Sequence, residues 1–112
     1  MCGIAGWVNW ELDLRKEKEV IQTMEQCQQH RGPDESGEWF SKTTALGHRR
    51  LVVIDPEGGQ QPMIGRKGLE KYVLVYNGEL YNTKELRQKL KQKGYVFSGH
   101  SDTEVLLKSY LE

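Results

Sequence analysis

The chain has 112 residues, 37% of them hydrophobic, and 16 basic residues balance 16 acidic ones. That length suits one domain with a small core, and the zero net charge argues against a nucleic-acid or membrane-surface partner recruited by bulk electrostatics. Two cysteines are too few for a disulfide scaffold, and no apolar run resembles a signal peptide or reaches the ~20 residues of a membrane span, so a reducing, cytoplasmic setting is expected.

Cys2 opens the chain in the run Cys2-Gly3-Ile4-Ala5-Gly6-Trp7-Val8. A small residue after the initiator favours removal of Met1, which would put a thiol and a free α-amine on one residue. A nucleophile then sits beside a built-in base, because an ordinary α-amine titrates near ~7.7–8.0. The same cysteine is also compatible with ordinary N-terminal sequence. Gly3 to Trp10 reads as a strand. Between Arg15 and His30, Val20, Ile21, Met24 and Cys27 recur at steps of three and four, which predicts a helix with one buried stripe. Cys27 is accordingly expected on the core face and chemically inert. Gly32 is expected to cap the helix in the left-handed conformation, with Pro33 unable to continue it.

Short β-type pieces follow at Gly37 to Phe40, Thr44 to His48 and Leu51 to Ile54, then a polar loop from Asp55 to Gln61. Lys71 to Tyr76 is apolar enough to predict a strand buried on both faces, ending sharply at Asn77-Gly78. Asn82 with Glu85 predicts a capped helix to about Lys93 that buries Leu86 and Leu90, closed by Gly94. Tyr95-Val96-Phe97 reads as a further strand. Ser101 with Glu104 predicts a second capping box, opening a helix that is still apolar at Leu111. The sequence stops inside that pattern, so a cut rather than a completed chain is expected. The alternation of elements lacks a regular βαβ period, and the pattern predicts an α+β fold.

Few residues carry chemical signals. Asn77-Gly78 has two readings, a hairpin turn or a pair of oxyanion donors at a strand end. Of Arg49 and Arg50, adjacent on a strand, at most one can face a given pocket, where its guanidinium could grip a carboxylate. Asp102 is either a first-turn acid that helps the helix dipole or an acceptor for a ligand ammonium, and Glu79 is either a surface acid or a carboxylate beside Asn77. Cys27 and His30 have the one ligand-like spacing for a metal, without a second pair, and none of the glycines forms a phosphate loop.

These pieces resemble the glutaminase domain of class II glutamine amidotransferases, most closely that of the glutamine-hydrolysing asparagine synthetases. The motifs run in family order over residues 1–112: Cys2-Gly-Ile-Ala-Gly, His30-Arg-Gly-Pro-Asp34, Gly47-His-Arg-Arg-Leu51, Gly59-Gln-Gln-Pro62, Tyr76-Asn-Gly-Glu79 and Ser101-Asp-Thr-Glu-Val105. The resemblance implies an N-terminal-nucleophile αββα sandwich of which only the N-terminal part is present, with the domain incomplete at its C-terminus. It implies that Cys2 attacks the side-chain amide of L-glutamine with its own α-amine as base, and that Asn77 and Gly78 hold the oxyanion. Arg50 would bind the substrate carboxylate, and Glu79 and Asp102 its ammonium, helped by main-chain groups at Leu51 and Val53. No metal or cofactor is expected in this domain. ATP and magnesium are expected only for a separate synthetase domain or subunit that takes the ammonia. The rival expectation is a non-catalytic fragment, or a module that binds glutamine or a partner.

Overall fold

A computed structural model of the protein describes residues 2–51 and 59–112. Its elements are β1 (Gly3–Val8), α1 (Lys18–Gln26), β2 (Glu35–Phe40), β3 (Thr44–Arg50), β4 (Met63–Lys67), β5 (Glu70–Leu74), α2 (Thr83–Gln92) and α3 (Asp102–Leu111), with one 3₁₀ turn at Leu14–Lys16. The fold is α+β with two antiparallel sheets. One has the order β1-β3-β2, and the other is the β4-β5 hairpin.

The central strand β3 determines how the first sheet is covered. Its register sets Ala45 opposite Trp7 and Gly47 opposite both Ala5 and Glu38, so these residues share one face. Small residues there let α1 lie close: a methyl group on Gly47 would come within 2.5 Å of the Glu25 carboxylate, and one on Gly3 within 2.6 Å of the Gln28 amide. Leu14, Ile21 and Ala45 form the core of this layer, with Trp7 and Phe40 packed against it. His48 and Arg50 point to the opposite face, towards the second sheet and the cavity described below.

In the second layer α3 packs across β4. Gly65 lies under Leu107 and Leu111, where a Cβ would come within 3.0 Å of both leucine side chains, closer than ordinary contact. Leu90 of α2 is buried with Val105, Leu107 and Leu111. The β4–β5 turn passes through Gly68, whose φ of 62° is one that L side chains rarely adopt.

The helix facing β1 and β3 buries a different stripe from the one its apolar spacing predicts. Ile21 and Glu25 are buried, whereas Val20 and Met24 are 41% and 37% exposed and Cys27 is exposed rather than in the core. The stripe is displaced by one residue, and its polar members each hydrogen-bond to sheet backbone. Glu25 accepts from His48 N at 3.2 Å, and Gln28 Nε2 donates to the Ile4 carbonyl at 3.1 Å. Gly32 is not left-handed; its role is close approach, since a Cβ would lie 2.3 Å from the Arg49 carbonyl carbon.

Four other expectations change. β5 is half-buried rather than buried on both faces, and its partner β4 lacks a clear alternating signature because Gly65-Arg66-Lys67 interrupts it. Asn82 makes no side-chain cap. Tyr95 to Phe97 is not a strand: Tyr95 N donates to Leu90 O, and the Phe97 ring lies under Arg87 and Lys108. Ser101 does cap α3, accepting from Glu104 N, but the Glu104 carboxylate turns to the backbone N–H groups of Ser98 and Gly99 instead of closing the box. The β-type piece predicted at Leu51 to Ile54 falls outside the described residues beyond Leu51, which itself follows β3.

Candidate active site

Five separated segments line one cavity of about 410 Å³: Cys2, Arg50-Leu51, Gly59 with Gln61, the stretch from Tyr76 to Tyr81, and Ser101 to Thr103. That volume lies in the range that holds small molecules, about 300–1,000 Å³. Every predicted site residue that is described lies in this lining, namely Cys2, Arg50, Leu51, Asn77, Gly78, Glu79 and Asp102. Val53 is outside the described residues.

Cys2 precedes β1 and is held by the chain opposite. Leu51 N donates to its Sγ at 3.3 Å, and Arg31 Nε donates to its carbonyl oxygen at 3.2 Å. The two arginines at the end of β3 diverge as alternation requires. Arg49 Nε donates to Gly32 O at 2.9 Å, while Arg50, almost fully buried, pairs with Glu35 at 2.9 Å and borders the cavity. A guanidinium carries five N–H donors in a planar fork, a geometry that can serve more than one acceptor.

Beyond β5 the chain does not turn back as a strand: Asn77-Gly78 is followed by a loop and then by α2. The hairpin reading of Asn77-Gly78 is therefore excluded for the described residues. Asp102, the first residue of α3, accepts from Leu80 N at 3.1 Å and so ties the helix start to this loop. The Tyr76 hydroxyl is shifted above its usual range by burial first, and then by the negative charges of Asp102 and Glu79 around it. Among the described residues, one cationic and two anionic side chains thus border a cavity that also holds a thiol. This is a charge pattern suited to a zwitterionic ligand.

Residues behind the lining brace it. His48 is 1% exposed, and its Nε2 lies 3.1 Å from Tyr76 O. Burial lowers its pKa, which favours the neutral ring. On the other face, Glu25 is pushed up to about 7, chiefly by burial and then by the charge and hydrogen bond of Glu38, with Arg49 acting the other way. A carboxyl group that folds into a proton-retaining state is stabilising at low pH, and that stability is lost as pH rises from about 4.5 to about 7. Glu25→Gln mimics the protonated acid. It is expected to flatten this slope and raise stability at pH 8 by roughly 2 kcal/mol. Urea melts of both proteins at pH 5 and pH 8 check this. The lowered His48 pKa works in the opposite sense, so the variant should then show stability falling only below about pH 6.5.

Residue spacing did not single out Gln61, His48 or Tyr76 for this site, although all three lie within the motifs Gly59 to Pro62, Gly47 to Leu51 and Tyr76 to Glu79. Among the described residues no group of three or more His, Cys, Asp or Glu is arranged to hold a metal ion, and no helix is long and apolar enough to cross a membrane.

The family model for a glutamine amidotransferase domain matches residues 1–112. Asparagine synthetase [glutamine-hydrolyzing] 3 of Bacillus subtilis is 47% identical over 112 residues, covering 100% of this chain and 18% of that protein. Asparagine synthetase [glutamine-hydrolyzing] 1 of the same organism is 43% identical, covering 98% of this chain and 17% of that protein. Asparagine synthetase B [glutamine-hydrolyzing] of Escherichia coli is 35% identical, covering 100% and 20%. The chain therefore spans about a fifth of the length of these relatives.

Proposed function

Because the chain belongs to the glutamine amidotransferase domain family, we propose that it performs the glutaminase half-reaction, converting the side-chain amide of glutamine to glutamate and ammonia. The observation that carries this reading is the convergence of Cys2, Arg50, Leu51, Asn77, Gly78, Glu79 and Asp102 on one cavity. With Met1 removed, the Cys2 α-amine accepts the thiol proton, through a water, as sulfur attacks the amide carbon. The Asn77 side-chain amide and Gly78 N–H take the charge that develops on the amide oxygen. The carbon–nitrogen bond then breaks, and the protonated α-amine gives its proton to the departing ammonia. Water attacks the resulting γ-glutamyl thioester, its proton passes to the α-amine, and collapse of the second tetrahedral species releases glutamate and the thiol.

Arg50 grips the substrate carboxylate, and Glu79 and Asp102 accept from its ammonium, aided by main chain at Leu51 and, in this reading, Val53. The layering of α1, two sheets and α3 fits the N-terminal part of an αββα sandwich. The relatives named above are asparagine synthetases, so the ammonia is proposed to feed asparagine synthesis on a synthetase domain or subunit. ATP and magnesium belong to that partner, and the whole acts in the cytoplasm.

The test is glutamate release from glutamine by the purified chain, with intact mass recorded on the same sample to read the first residue. Release by a chain that begins at Cys2 supports the reading. A silent chain with the same processed terminus overturns it in favour of a non-catalytic glutamine-binding module.

A further inference from the structure

Gln61 belongs to a motif, Gly59-Gln-Gln-Pro62, that the proposed reaction leaves without a role although it lines the cavity. Its side-chain amide joins two parts of the cavity that are far apart in sequence. Oε1 accepts from Tyr76 N at 2.6 Å, and Nε2 lies 3.2 Å from Thr103 Oγ1. The amide orientation follows from chemistry: a backbone N–H can only donate, so the oxygen must face Tyr76 and the NH₂ must face the hydroxyl. Tyr76 N–H requires an acceptor, whereas the Thr103 hydroxyl can donate or accept, and the amide NH₂ makes it the acceptor here.

The Tyr76 peptide is held from its other side as well. Its carbonyl oxygen receives the buried His48 ring at 3.1 Å. The backbone of Gln61 is itself wedged against β2, because a Cβ on Gly37 would come within 1.9 Å of Gln61 O. Four residues further on, Leu80 N is fixed by Asp102. Residues 77 to 79 are therefore a short span between two anchors, at Tyr76 and at Leu80.

We propose that Gln61 is a positioning residue, which sets the direction of the Asn77 and Gly78 donors by holding Tyr76 N–H against Thr103. The inference rests on the glutaminase reading for its catalytic consequence, but not for its geometry. The anchor at Leu80 is a separate hydrogen bond to Asp102, and the start of α3 is also held by the Ser101 cap, so the ammonium-binding end is expected to move less than the Tyr76 end when Gln61 is changed. Loss of the Tyr76 anchor falls on the oxyanion donors, where a displacement near 1 Å can cost about 10²-fold.

The experiment compares wild type, Gln61→Met, Thr103→Val and Thr103→Ser. Gln61→Met keeps length and removes both hydrogen bonds; Thr103→Val keeps shape and removes only the far one. Kinetics with glutamine are read beside thermal melts and amide exchange by NMR. The expected result is a kcat lowered ~10–10²-fold in Gln61→Met with KM within about threefold. Thr103→Val should show a smaller loss, and Thr103→Ser should restore it. Exchange of the Tyr76 amide should speed up and the Asn77 and Gly78 amide resonances should shift, while those of β1 and β3 stay as in wild type. A kcat unchanged in Gln61→Met, or a fall in kcat that only tracks a lower melting temperature across all variants, overturns the proposal. If wild type itself releases no glutamate, the glutaminase reading fails, and the positioning role is decided by the NMR spectra alone. Asn77 and Gly78 amide resonances that keep their wild-type positions in Gln61→Met then overturn it.

Discussion

Cys2→Ala is expected to abolish glutamate release while leaving the fold intact. Removing the nucleophile of a hydrolase that works through a covalent intermediate costs on the order of 10⁶ in kcat. The remaining oxyanion donors cannot compensate, because water would have to attack an unactivated amide directly. Stability should barely move, since among the described residues the sulfur hydrogen-bonds only to the Leu51 backbone and lies outside the buried core. A melting temperature within a degree or two of wild type, with glutamine binding retained by calorimetry, would separate lost chemistry from lost structure. Cys27→Ala is the internal control. Cys27 is exposed at the end of α1 and does not line the cavity, so it should keep wild-type turnover. An electrophilic glutamine analogue should label Cys2 and spare Cys27. Turnover surviving in Cys2→Ala would move the nucleophile elsewhere and remove the basis of the mechanism.

Legibility differed between the site and the fold for a physical reason. Candidate site residues such as Cys2, Asn77 and Asp102 were legible because each sits in a short run whose residue types serve a chemistry at fixed local spacing. Their meeting in one cavity is a tertiary fact that no local run expresses. Strands β1 to β3 were legible from their apolar and β-type runs. The buried face of α1 was not, because the sheet chooses it. Ala45 and Gly47 leave room for a helix layer whose inward side carries Glu25 and Gln28, and each makes a hydrogen bond to a backbone group that only the folded sheet supplies. A reading by hydropathy assigns such residues to solvent. The left-handed cap expected at Gly32 failed similarly, since the constraint on that glycine is the Arg49 backbone, 17 residues away in sequence. Gln61 was invisible as a brace because its partners lie 15 and 42 residues away.

Asn77 is the residue at which the catalytic and structural readings separate most cleanly. Asn77→Ala removes one proposed oxyanion donor, a change that typically costs ~10²–10³ in kcat with little effect on KM. Asn77→Asp is the more telling change. It preserves the shape and the tolerance for tight backbone geometry, but replaces an N–H donor with a carboxylate facing the developing negative charge. As an oxyanion residue, Asn77→Asp should therefore lose at least as much rate as Asn77→Ala. As a turn residue it should be harmless, because aspartate serves turns about as well as asparagine, and the alanine variant would then be the less stable of the two. The chain beyond Gly78 runs into a loop and helix α2 rather than a returning strand, which already removes the hairpin that a turn role would serve. Kinetics and melts of the two variants at pH 8 decide the matter. Full activity in Asn77→Asp would take the oxyanion away from this residue and leave Gly78 N–H as its sole proposed donor.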